Sequence, residues 1–169
     1  MRTARPKGFQ TNPMGEGLNI YRRGGWRGQL ARVRRWHTRL RTASPDDYLD
    51  FLYAFFQNCN HLADWIASDA PAGAAMVQTL VGSSVELRVC RDICNATKHF
   101  SFDRPPKMKG GFADGHEYLP EGWPTDHPGG LPIFVIAGGE KYDALDLADR
   151  CLAAWNGLAA EMADVPSSV

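Results

Sequence analysis

The sequence predicts a mainly α protein: a four- to five-helix bundle with a small antiparallel β-sheet inserted before the last helix. Two observations support this. Apolar residues recur at helical spacing in four segments. A Gly- and Pro-rich segment at about 100–142 ends in the β-branched run IFVI. The length of 169 residues suits one domain. We therefore expect a basic extended arm over 1–25 and a single helical domain over 26–165 that contains the insertion.

The first helix is predicted over 27–42, where one side is apolar and the other is rich in arginine. The arginine side consists of Arg32, Arg34, Arg35 and Arg39. Arginines in such a row are candidates for contacts with nucleic-acid phosphates, and a solvated surface is the alternative. His37 falls on the apolar side, which predicts a packed histidine.

The second helix begins after Ser44, a good N-cap residue, with Pro45 at its first position. Its apolar stripe is the strongest in the chain. The stripe is Tyr48, Phe51, Leu52, Phe55, Phe56, Cys59, Leu62, Ala63 and Ile66. The opposite side carries His61 and Asp64, which have the i, i+3 spacing of metal ligands.

The segment PAGAAMVQTL predicts a short third helix that Gly82 ends. Ser83 with Glu86 then predicts a capping box for a fourth helix that runs to about His99. HFSF and LPIFVIAGGEKYD predict short strands, with a tight turn at Gly138-Gly139. Asp143 is the expected cap of the last helix.

Charge is distributed unevenly along the chain. Residues 1–43 hold 11 Lys/Arg and one acid, whereas residues 44–169 hold 8 Lys/Arg and 18 Asp/Glu. This asymmetry indicates either a nucleic-acid-binding arm or a basic arm that lies on an acidic surface of its own body, a second subunit or a partner. In the second case Trp26 and Trp36 are the expected apolar anchors, and deleting residues 1–25 should leave the bundle folded.

The four cysteines, Cys59, Cys90, Cys94 and Cys151, all fall inside helical patterns without a C-x-x-C pair. They are predicted to be reduced and buried, and their spacing supplies no zinc site. Neither a secretory signal nor a membrane span is recognisable, so a cytoplasmic location and no membrane contact are expected. Nucleotide-binding and nucleophile-elbow fingerprints are missing from the sequence, and no cofactor is predicted.

The stretch RDICNATKHF, residues 91–100, carries the candidate site. On an ideal helix Asp92, Asn95 and His99 form one line at i, i+3 and i+7, flanked by Arg91 and Lys98. Asp and Asn are poor choices for a purely solvated helix face because they compete for backbone hydrogen bonds. This line is the predicted functional centre, and a polar face that joins a helix end to the sheet is the alternative.

Arg91, Asp92 and His99 resemble the motif of the HEPN superfamily of small helical-bundle proteins, many of them ribonucleases or toxin and phage-defence components. Seven residues separate Arg91 from His99, a longer interval than in that family. The resemblance implies a homodimeric, metal-independent ribonuclease in which the RNA 2′-hydroxyl is the nucleophile. His99 would be the general acid or base, Arg91 and Lys98 would stabilise the phosphorane, and Asp92 and Asn95 would orient the imidazole.

A second resemblance exists, and two other interpretations of the function remain open. FFQNCNHLADW and RDICNATKH also resemble small uncharacterised bacterial proteins, a likeness that implies no activity. A non-catalytic helical module that binds a protein partner or a small anionic ligand is the main alternative. A metal site built from His61, Asp64, Asp92 and His99 ranks last, because the two helix faces are expected to diverge.

Overall fold

The computed structural model describes residues 24–98, 112–117 and 133–163. Within these ranges the chain forms five α-helices and a three-stranded antiparallel sheet. The helices are α1 (Gly25–Arg41), α2 (Pro45–Asp69), α3 (Ala74–Ser83), α4 (Val85–Lys98) and α5 (Ala144–Glu161). The strands are β1 (Phe112–Glu117), β2 (Ile133–Ala137) and β3 (Glu140–Asp143). The predicted fold class is confirmed.

Side-chain caps define three of the helix starts. Ser44 Oγ accepts from the backbone N–H of Asp47 at the start of α2, and Asp143 caps α5 by accepting from the N–H groups of Leu145 and Asp146. Both caps were predicted. The cap of α4 is displaced by one residue from the predicted Ser83, because Ser84 Oγ accepts from Leu87 N at 3.1 Å.

The predicted Ser83 capping box is therefore wrong, as is the helix break at Gly82. The Ser83 hydroxyl donates back to the carbonyl of Thr79, so this serine completes the last turn of α3. Gly82 lies inside that helix.

The longest helix, α2, is the centre of the bundle and contacts α1, α3, α4 and α5. Its predicted stripe supplies much of the buried core. Trp26 of α1 and Trp155 of α5 are the largest of the fully buried side chains. Since α2 lies between the other helices, some of its sides face the core and others face grooves at the surface.

The β2–β3 hairpin turns at Gly138-Gly139, whose φ angles are 63° and 84°. Positive φ at both central residues is what a tight two-residue hairpin turn requires, and glycine adopts it without steric cost. The tight turn was predicted. β1, which pairs with β2 across a register shift between Ala113 and His116, was not. The predicted strand at 99–102 and residues 1–23 of the predicted arm lie outside the described residues.

Candidate functional site

A groove runs between α2, α3 and α4. It consists of two adjoining cavities of about 210 Å³ and 450 Å³. Both cavities are lined by Ala63, Asp64, Val81 and Arg91. The smaller also has Cys59, Asn60, Leu87, Cys90, Asn95 and Trp155, and the larger has Ala67, Ala74, Val77, Gln78, Gly82 and Arg88. We call this the α2–α4 groove. Because its walls are helical, the positions of its side chains are well defined.

Arg91 is exposed and lines both cavities of the groove. Within the ranges that the structure describes, its guanidinium makes no hydrogen bond or ion pair. The neighbouring Arg88 is anchored, because its Nη1 donates to the carbonyl of Gly82 at 2.6 Å. The groove therefore holds one fixed guanidinium and one that is available to a ligand, together with the exposed carboxylate of Asp64.

Asp92, by contrast, is buried and only 1% exposed. Its neighbours Val89 and Ile93 are buried as well, because α4 is covered on more than one side. The polar arc of α4 is thus narrower than the sequence indicates, and Asp92 does not share the surface of Arg91.

Of the other residues predicted to form the site on α4, the structure describes the side chain of only one. Asn95 is half-buried and lines the groove beside Arg91. Lys98 is the last residue of α4, and its side chain, like the whole of His99, lies outside the described residues. The structure therefore brings Arg91 and Asn95 together, and it places Asp92 in the interior.

Three of the four arginines proposed to contact nucleic acid have partners inside the chain. Arg32 donates to the side-chain oxygen of Gln29 at 2.8 Å. Arg34 donates through two nitrogens to the side-chain oxygen of Asn156. The Arg39 guanidinium lies 4.8 Å from the Trp36 ring centroid. Arg35 is exposed and, in the described part of the chain, makes no such contact.

His37 packs between α2 and α5, as predicted for a histidine on the apolar side. Its ring lies 5.8 Å from that of Phe55, and its Nε2 is 2.5 Å from Asp149 Oδ1. Arg41 donates to both oxygens of the same carboxylate. The C-terminal half of α1 is therefore held on α5 through one shared acid.

Three cysteines from three helices meet in the core, and two of them, Cys59 and Cys90, line the smaller cavity of the groove. The Sγ atoms of Cys59 (α2), Cys90 (α4) and Cys151 (α5) all lie within 4.8 Å of one another. All three side chains are fully buried, and none forms a disulfide. Cys94 is also buried and free but does not belong to this cluster. The prediction of buried, unbridged cysteines is confirmed, whereas their convergence had no signal in the spacing along the chain.

Hydrogen bonds orient the three sulfur atoms. Trp155 Nε1 donates to Cys59 Sγ at 3.2 Å. Cys90 Sγ donates to the carbonyl of Phe56 at 3.5 Å, and Cys151 Sγ donates to the carbonyl of Glu86 at 3.3 Å. The cluster thus has one acceptor sulfur and two donor thiols.

Burial raises the pKa of all three thiols, because a low-dielectric interior disfavours the thiolate. Burial raises the pKa of Cys59, but hydrogen bonding to its sulfur, which includes the bond from Trp155 Nε1, outweighs burial and holds that pKa well below its ordinary value. The pKa values of Cys90 and Cys151 are raised well above theirs, first by burial. The next cause is the interaction with Cys151 for Cys90 and the interaction with Cys59 for Cys151. The three thiols behave as one system in which a single proton is lost most readily.

Comparison of the chain with protein-family models, curated proteins and solved structures gives no match. The HEPN resemblance accordingly stays a prediction. In the described ranges no helix is long and apolar enough to span a bilayer.

Proposed function

We propose that this protein is a helical module that binds a small amphiphilic anion in the α2–α4 groove. The observation that carries the proposal is Arg91, which is exposed at the junction of the two cavities without a partner among the described residues. A guanidinium binds carboxylate or phosphate through two parallel hydrogen bonds, so an anionic head group is its natural ligand. Arg88, on the wall of the larger cavity, adds a second positive charge.

The rest of the groove favours a ligand with an apolar body. Its wall in the larger cavity is largely made of alanine and valine side chains, namely Ala63, Ala67, Ala74, Val77 and Val81. A volume of about 450 Å³ suits a small molecule, and binding sites commonly combine apolar walls with a few polar groups. Asn60 and Asn95 supply amides in the adjoining cavity, where the Asp64 carboxylate is a potential acceptor for a ligand hydroxyl or amine.

Octanoate is a suitable probe because it combines a carboxylate with a short apolar chain. Titration into ¹⁵N-labelled protein should shift the amide signals of groove residues. Arg91→Gln should weaken binding about tenfold or more, since a hydrogen bond to a charged group contributes about 1.5–3 kcal/mol. Arg35→Gln is the matched control, because Arg35 is an exposed arginine on α1, away from the groove. Equal affinity in Arg91→Gln, or shifts confined to another surface, would refute the proposal.

A metal-independent ribonuclease is the second candidate. It is supported by the shared position of Arg91 and Asn95 in one groove and by the HEPN resemblance. In this mechanism His99 moves the proton of the 2′-hydroxyl, and Arg91 with Lys98 stabilises the phosphorane charge. RNA would follow the arginine side of α1, where Arg35 is exposed, and a homodimer would pair two such sites.

The ribonuclease candidate is tested by RNA cleavage in the presence of EDTA, with the oligomeric state measured by light scattering. His99→Ala should lower the rate by about 10²–10⁴-fold, the usual contribution of a general acid or base. His61→Ala is the control, because His61 is an exposed histidine on α2. A folded wild-type protein that cleaves no RNA, or an active His99→Ala variant, contradicts this candidate without affecting the octanoate result.

A further inference from the structure

The cysteine cluster is the one group of three or more His, Cys, Asp or Glu side chains at metal-ligand spacing in the part of the chain that the structure describes. Its members come from positions 59, 90 and 151, so three separate helices deliver one sulfur atom each. Other small apolar side chains could fill this part of the core, so packing alone does not explain why three thiols converge. A thiophilic metal ion does need that arrangement.

We propose that Cys59, Cys90 and Cys151 bind one thiophilic metal ion, Zn²⁺ or Cu⁺, as thiolates. A Zn–S bond of about 2.3 Å implies S···S separations of about 3.8 Å in tetrahedral geometry. The sulfur atoms, which lie within 4.8 Å of one another, need to approach by at most about 1 Å per pair.

Binding exchanges three S–H bonds for three S–metal bonds and releases three protons to solvent. The three thiolates with Zn²⁺ carry a net charge of −1, which requires compensation inside the protein. Trp155 Nε1 already donates to Cys59 Sγ at 3.2 Å, and such an outer hydrogen bond stabilises a bound thiolate. Arg91 lines the same cavity as Cys59 and Cys90 and contributes positive charge.

The cavity also provides a route to the site. The buried Cys59 and Cys90 line it together with the exposed Asp64 and Arg91. A metal ion can therefore enter from solvent, and a water molecule in the cavity can serve as the fourth ligand that Zn²⁺ requires beside three protein ligands. Cu⁺ can be bound by the three sulfur atoms without a fourth ligand. The two ions are therefore expected to differ in coordination number and in their spectra.

The test is an anaerobic titration of the reduced, full-length protein with Co²⁺, a spectroscopic substitute for Zn²⁺. Thiolate-to-cobalt charge-transfer and tetrahedral d–d bands should saturate at one equivalent and disappear on adding Zn²⁺ or Cu⁺. Competition with chelators specific for each ion then decides which one binds more tightly. Either ion should raise the Tm of the wild-type protein, because a ligand that binds only the folded state stabilises it.

Single-cysteine variants locate the site. Cys59→Ala and Cys151→Ala should weaken binding by more than about 100-fold, beyond the 10–100-fold loss seen when only an outer hydrogen bond is removed. Cys94→Ala is the matched control, since Cys94 is also buried but lies outside the cluster, and it should keep the bands and the Tm rise. Circular dichroism establishes that each variant is folded.

The proposal is overturned if the folded wild-type protein, with four reactive thiols after denaturation, shows neither thiolate–cobalt bands nor a Tm rise with Zn²⁺ or Cu⁺. It is also overturned if Cys94→Ala abolishes binding while Cys59→Ala retains it. The wild-type result stands even if a variant does not fold. Octanoate binding is measured on metal-free protein, so its outcome is independent of this one.

Discussion

Tyr48 is a buried phenol whose ionisation is coupled to stability. Burial raises its pKa, and the carboxylates of Asp143 and Asp149 raise it further. In the unfolded chain the phenol ionises near pH 10, whereas in the folded protein it remains protonated to higher pH. The associated stability is fully present below about pH 10 and is lost as the pH rises, because only the unfolded state releases the proton.

We therefore expect stability to fall above about pH 10 by up to about 1.4 kcal/mol per pH unit from this group alone. Tyr48→Phe should flatten that slope in urea unfolding followed by circular dichroism at pH 8–11. Tyr53→Phe should not, because Tyr53 is exposed. An unchanged slope in Tyr48→Phe would mean that other groups cause the alkaline loss.

Asp149 of α5 joins α1 through two partners. Its carboxylate lies 2.5 Å from His37 Nε2 and 2.7 Å from Arg41 Nη1. Asp149→Asn should lower the free energy of unfolding by about 1 kcal/mol, the upper end for a partly exposed ion pair. Asp146→Asn, which breaks the exposed i, i+4 pair with Arg150, should cost about 0.3–0.5 kcal/mol. Urea denaturation measures the loss in both variants. Equal losses would show that sharing one carboxylate between two partners adds no stability.

The start of α1 depends on a glycine that packs against the end of α2. Gly25 has a φ of 54°, and a Cβ at this position would lie 2.1 Å from Asp69 Oδ2. That same oxygen accepts the backbone N–H of Trp26 at 2.9 Å, so Asp69 caps α1 from a different helix. A side chain at position 25 would displace this cap.

Gly25→Ala should accordingly destabilise the protein by about 1–3 kcal/mol through backbone strain and loss of the cap. Gly157→Ala is the contrasting change, because this α5 glycine would place its Cβ in open space. It should stabilise the fold by about 0.4–1 kcal/mol. Thermal unfolding measures both, and a neutral Gly25→Ala would show that Asp69 moves aside without cost.

Helix starts and the tight turn were predictable because their signals are local. Ser44 and Asp143 each cap a helix through a residue two or three positions away, and the Gly138-Gly139 pair specifies its own turn. The predicted cap of α4 at Ser83 was wrong by one residue, because the adjacent Ser84 is the serine that accepts from Leu87 N. β1, with the sequence FADGHE, has no alternating apolar pattern, so its pairing with β2 had no local signal.

The packing of the whole bundle explains two features that residue spacing along the chain did not predict. Asp92 was assigned to a polar face, but packing on more than one side of α4 places it in the interior. The three clustered cysteines lie 31 and 61 positions apart along the chain. Their proximity depends on how α2, α4 and α5 pack, which a helical repeat does not encode. Arg91 and Asn95, four residues apart on one helix, were predicted together and do share the groove.

The basic N-terminal segment divides into a helix that belongs to the core and a stretch before it. In the described part of the chain the buried core begins at Trp26, which is 2% exposed. The sequence-based expectation was that deleting residues 1–25 leaves the bundle folded, but Gly25 is buried and begins α1. The deletion to test is therefore 1–23, which should leave the Tm unchanged. Deleting residues 1–26 removes that indole and should cost about 3–5 kcal/mol, as for a buried tryptophan replaced by a small residue. If the shorter deletion also unfolds the protein, the arm is part of the core.

The contribution of α5 to the cysteine cluster has a consequence for the order of events during synthesis. Cys59 and Cys90 leave the ribosome well before Cys151, and Trp155, which donates to Cys59, emerges later still. Until α5 docks, the two earlier thiols lack the helix that completes their burial. Pulse labelling with a thiol reagent during cell-free synthesis should therefore modify them early and lose access when α5 docks. The time at which labelling stops then marks the closure of the bundle.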